Sequence, residues 1–149
     1  MTSVEITNRQ KRPVDVVRLR WAARGSLRSL GCDGILSLAL VDDAQMRLLN
    51  RRYRRLDRTT DVLAFSQGPV VRGAPTVLGD VVISVETAAR RVGGAALHAE
   101  LVRYLIHGIL HLNGWDHHTA GDRRAMRRQE HTIWKRACSE DSFRVSATR

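Results

Sequence analysis

Four of the six histidines of this chain fall between positions 107 and 118, in the segment His107-Gly-Ile-Leu-His111-Leu-Asn-Gly-Trp-Asp-His117-His118. Histidine at that density and spacing is a metal-binding pattern. Residues four apart on a helix stack on one face, which brings the His107 and His111 imidazoles within reach of a single ion. Gly114, three residues after the second histidine, can end the helix in a left-handed conformation and turn the chain back, so that His117 approaches the same ion from the side. Three imidazoles leave one position of a tetrahedral zinc open, as in a catalytic site, where that position takes water or a substrate oxygen. His118 could replace His117 or face solvent, and Asp116 could orient a ligand. The expected metal ligands are His107, His111 and His117.

The surroundings favour a shared ion over surface histidines that happen to cluster. Leu101, Val102, Leu105, Ile106, Ile109, Leu110 and Leu112 make this helix apolar nearly all round, and a buried imidazole without partners costs about 1 to 3 kcal/mol. The spacing also fits zinc peptidases of the metzincin type, which is a remote alternative. Those enzymes need a glutamate directly after the first histidine as general base, and here that residue is Gly108. Glu100 lies on the same helical face but seven residues earlier, about two turns away.

Charge points to the substrate. The 25 basic against 15 acidic side chains give a net charge of +10, which biases the surface toward polyanions. All but Lys11 and Lys135 of those bases are arginine, whose planar fork suits phosphate, although an arginine-rich composition would give the same excess. Arg47, Arg51, Arg52, Arg54, Arg55 and Arg58 form the densest patch, and Arg123, Arg124, Arg127 and Arg128 a second one that either faces a phosphate polymer or is merely solvated. Asp57 and Asp61 are expected to pair arginines or cap a turn.

The elements that must position these groups follow from periodicity. At 149 residues, 43% hydrophobic and 27% charged, the chain has the balance of one globular domain, unlike a disordered or membrane-embedded protein. No apolar run spans a bilayer and Met1 to Arg12 carries no secretion signal, so the expected location is cytoplasmic. Cys32 and Cys138 read as ordinary thiols. Strands are expected over Val4 to Thr7, Ile35 to Val41, Val62 to Phe65 and Asp80 to Val85, the last two joined by a connection containing Gly73 and Pro75. Helices are expected over Val14 to Leu30 and Ala44 to Tyr53, with Asp42 or Asp43 as N-cap. A third helix starts near Ser84 to Glu86 and is broken at Gly93 and Gly94. Two more cover Ala95 to Asn113 and Ala120 to Ala137. Together these imply an α+β fold: residues 1–138 as a single domain, with a small mixed β-sheet of about four strands flanked by helices and the metal-binding helix in the C-terminal half. Residues 139–149 read as a flexible polar tail.

With these residues laid out, His107 to His117 resembles the signature H-G-x-L-H-L-x-G-Y-D-H of the YbeY family, with Trp115 in place of the usual tyrosine. Asn50 to Phe65 is similar to the family's N-x-x-Y-R-x-x-D-x-x-T-D-V-L-S-F, and Leu78 to Glu86 to its L-G-D-I-x-I-x-x-E. The resemblance implies a zinc-dependent, single-strand-specific endoribonuclease that matures the 3′ end of small-subunit (16S) ribosomal RNA, takes part in ribosome quality control, and has the small ribosomal subunit and associated proteins as partners, with no DNA or membrane. It also implies a functional role for Arg54, which occupies the family's arginine in Tyr53-Arg54-x-x-Asp57. A reading from a different class, an RNA-binding assembly factor with a structural zinc, would need a fourth protein ligand such as His118.

Overall fold

The structure is a computed structural model that describes residues 2–67, 72–74 and 76–147, with side chains described as far as residue 138. Pro75 and the last two residues of the expected tail lie outside the described residues. Four strands form one sheet: β1 (Ser3–Asn8), β2 (Ile35–Val41), β3 (Val62–Ser66) and β4 (Val77–Ser84), in the order β1-β2-β4-β3. β1 is parallel to β2 and β2 to β4, while β3 runs antiparallel to β4 along the edge. The helices are α1 (Val16–Ser29), α2 (Asp43–Arg54), α3 (Val85–Val92), α4 (Leu97–Leu112) and α5 (Ala120–Ala147).

Alternation along the strands sorts the core into two layers. Leu36, Leu38, Leu40, Val81 and Ile83 face a large cluster built with α1, α4 and α5, which includes Leu19, Leu27, Leu105, Ile109, Met126 and Ile133. Val41, Leu63 and Val82 point to the opposite face, where they pack on Met46 of α2. Because side chains switch faces at every residue, a strand buried on both faces is apolar throughout. The β2 sequence Ile-Leu-Ser-Leu-Ala-Leu-Val follows this except at Ser37, which is half-buried. The mixed sheet with helices packed on it is the expected α+β architecture.

Two boundaries differ from the periodicity. β4 starts at Val77 rather than Asp80, because Val77 and Gly79 pair with Ile35 and Leu36 while Gly79 also pairs with Ser66 on the other side. Those partners are distant in sequence and leave no local signal. At the C-terminal end, the residues from Ser139 read as a tail continue α5 to Ala147. Neither glycine nor proline follows Ala137, so nothing in the backbone stops a helix already nucleated by packing.

Candidate metal centre

α4 carries the first two histidines on its partly exposed face, and the rest of the helix is packed into the core. How closely it packs is set by Gly108. A Cβ there would stand 2.7 Å from Cγ1 of Val81 and 3.4 Å from Cγ2 of Val62, so the helix lies so close to β4 that any larger residue must displace Val81. Glycine thus avoids a clash with Val81 at the position where a peptidase would carry its glutamate.

The return of the chain is a helix-ending motif with all its parts. The Trp115 amide donates to the Leu110 carbonyl and the Gly114 amide to that of His111, both at 3.1 Å, with Gly114 at φ 86°. These are the two bonds of a Schellman cap, and the half-buried Trp115 packs on the core that contains Leu110, the usual accompanying contact. Five residues of chain after Leu112 thereby bring His117 back over the last turn. Its ring centroid lies 5.0 Å from that of His111 and 5.8 Å from that of His107.

One ring nitrogen from each of His107, His111 and His117 lies within 4.8 Å of the others. Nε2 of His107 and Nε2 of His111 are 3.0 Å apart, and Nδ1 of His107 is 2.8 Å from Oε1 of Glu130 on α5. With the Glu130 carboxylate as acceptor, Nδ1 carries the hydrogen and Nε2 faces His111. Burial pushes the His111 imidazole below its ordinary value, and the charges that His107 and His117 would carry push it further in the same direction, against opposing pulls from the Trp115 backbone and Glu130. A neutral imidazole is the form that binds metal. His118 is exposed, 6.3 Å from His117 between centroids, and outside this group.

The histidines open into a pocket of about 490 Å³, lined also by Arg54, Thr60, Asp61, Val62 and Gly108. Arg54, the last residue of α2, is exposed there. The loop after it is anchored by buried Asn50, whose side-chain amide donates to the Arg58 carbonyl at 2.8 Å. Asp61 at the pocket edge accepts from the Val62 amide at 2.7 Å and from Arg91 at 3.0 Å. Asp57 is paired with Arg47 at 2.9 Å. Both aspartates thus hold arginines.

Sequence reasoning missed Glu130. A signal for it exists: it is a carboxylate set between Met126 and Ile133, which are both buried, so it sits at helical spacing inside an apolar stripe where a charge needs a partner. The identity of that partner required the packing of α5 on α4.

The arrangement matches known proteins. The model of the family described as Endoribonuclease YbeY matches residues 5–137. Proteins named Endoribonuclease YbeY are similar to the chain: that of Anaeromyxobacter dehalogenans at 52% identity, covering 76% of this chain and 60% of the relative; that of Myxococcus xanthus at 40%, covering 97% and 51%; and that of Geobacter metallireducens at 42%, covering 83% and 87%. The chain thus spans half to three fifths of the first two relatives and most of the third. A solution structure of a Thermotoga maritima protein shares the fold, with a TM-score of 0.57 at 24% identity over 92% of this chain and 90% of that one.

Proposed function

The chain belongs to the YbeY endoribonuclease family, and from that membership we propose that it is a zinc-dependent endoribonuclease. Its substrate is single-stranded RNA, in the first place the 3′ end of small-subunit ribosomal RNA, and it works in the cytoplasm with the small ribosomal subunit and its proteins in maturation and quality control. The observation that carries the reading is the pocket itself, which sets three converging imidazoles and an exposed arginine around one space.

The donor set fits zinc. Three neutral nitrogens suit a borderline-soft divalent cation, and the His107–Glu130 pair is the carboxylate support usual for such a histidine. When bound, the ion supplies Lewis acidity to the phosphoryl group and activates a nucleophile at neutral pH. Three protein ligands would leave a tetrahedral ion one position for the reaction, whereas a structural zinc is closed by four.

The chain's own residues have separate tasks. Glu130 keeps the proton on Nδ1 of His107. Arg54 binds the scissile phosphate and stabilises the negative charge that grows on its oxygens as the fifth bond to phosphorus forms. Arg91 holds Asp61 in place at the pocket edge, and Gly108 offers no base at the position after His107.

His111→Ala should lose the metal, read by elemental analysis, together with RNA cleavage, while His118→Ala retains both. Undiminished cleavage by metal-free His111→Ala protein would sink the proposal. Arg54→Ala should keep the metal and lower kcat by about 10²- to 10³-fold, the range for loss of one transition-state donor. The nucleophile is either water or the RNA's own 2′-hydroxyl, and end-group analysis separates them: a cyclic phosphate marks attack by the 2′-hydroxyl, and a 5′-phosphate excludes it.

A further inference from the structure

A second groove, between α4 and α5, adjoins the histidine site through Glu130, which lines it and also holds His107. Its volume is about 430 Å³ and its walls are Arg103, Ile106, Arg127, Glu130, His131 and Trp134. Trp134 is half-buried and packed on the core, so its ring is fixed. The Arg103 guanidinium lies over that ring, 5.6 Å from its centroid. Indole and guanidinium planes are both surfaces on which a nucleobase stacks.

The arginines of this groove differ from those held in ion pairs. Arg47, Arg90 and Arg91 are each tied to a carboxylate, on Asp57, Asp43 and Asp61. Arg103 and Arg127 are exposed and form no ion pair among the described residues. The only acid on the groove wall, Glu130, is engaged by His107. Two unneutralised guanidiniums beside a rigid aromatic ring, with the His131 edge for hydrogen bonding, is the donor set that recognises a single-stranded nucleotide.

We propose that this groove is a nucleotide subsite: it takes one nucleotide flanking the scissile phosphate, with its base against Trp134 and Arg103 and its phosphate on Arg127. The proposal rests on the endoribonuclease reading and extends the RNA path from the histidines across Glu130. It also divides the arginines of α5, since Arg127 lines the groove while Arg124 and Arg128 do not.

The test compares two double variants with equal charge loss on exposed positions, Arg103→Ala/Arg127→Ala and Arg124→Ala/Arg128→Ala, in the metal-loaded full chain. Binding of a labelled, cleavage-resistant phosphorothioate RNA strand is read by fluorescence anisotropy, and cleavage of the matching natural strand on a gel. The groove pair should weaken binding by about 10- to 30-fold and lower the slope of log affinity against log salt by about 0.7, the value for one single-strand phosphate contact. The control pair should lose less than about threefold. Equal losses in the two pairs, or none in the groove pair, would overturn the subsite. If wild type cleaves RNA while the groove pair binds normally, the subsite fails and the endoribonuclease reading stands. Groove-dependent binding without any cleavage by wild type removes that reading and leaves the subsite. Absence of RNA binding by wild type overturns both.

Discussion

At the scale of single residues, the site depends on how protons and lone pairs are assigned. His107 can offer Nε2 to an ion only while Nδ1 keeps its hydrogen, and the Glu130 carboxylate enforces that choice at 2.8 Å. Glu130→Gln keeps the size of the side chain but replaces a charged acceptor by a neutral amide, which holds the ring less strongly. Metal affinity, measured by chelator competition, should fall by about 10- to 100-fold, as is usual when such a support is lost. The secondary structure should not change. Affinity equal to wild type would show that Glu130 does not position the ring.

At the scale of elements, the seating of α4 on the sheet decides where its histidines stand. Gly108→Ala would drive a methyl group into Val81, and overpacking of this kind costs about 1 to 3 kcal/mol. Urea unfolding should show that loss. The displaced helix should also bind metal more weakly, because His107 and His111 move while Glu130 stays on α5; a midpoint and affinity both unchanged would mean the contact is slack. Most elements were legible beforehand, since α1, α2 and β2 follow their hydrophobic periods to within two residues. The N-cap was legible as a choice of two. Asp42 takes it, in a capping box with Gln45, and this leaves Asp43 free for another task.

That other task belongs to the whole molecule. The Asp43 carboxylate accepts from Ser84 at 2.6 Å, Thr87 at 2.7 Å and Thr59 at 3.3 Å, and pairs with Arg90. It thereby joins the start of α2 to the β4–α3 junction and to the loop that leads into the site. Burial pushes this carboxyl up, but the hydrogen bonds from Arg90, Ser84 and Thr87 and the charge of Arg90 outweigh it and bring it to about 2, against an ordinary 3.8. A folded-state value below the unfolded one means that the stabilisation is present above about pH 4 and is lost as the pH falls from about 4 to 2. Because the pair is partly open to solvent, its contribution is about 1 kcal/mol. Asp43→Asn should therefore be less stable than wild type at pH 7 by thermal melting, with the difference shrinking toward pH 2; a constant difference would exclude the ionised carboxylate as the cause.

What the sequence determined by itself was chemistry carried by local spacing: the three histidines and their turn glycine, the arginine patch at the end of α2, the absence of a glutamate after His107, and an α+β pattern of short strands and amphipathic helices. These are legible because helix and strand periods and caps depend on neighbours a few residues away. Tertiary structure alone decided the rest. It joined Glu130 to His107 across 23 positions, explained Gly108 by two strands it touches, started β4 three residues earlier through partners on both sides, and set Arg127 rather than Arg124 in a groove with Trp134. Each of these depends on which surfaces meet when the helices pack on the sheet. The histidine cluster was therefore readable in advance as a group of candidate ligands, and only packing showed what holds them and what space they open into.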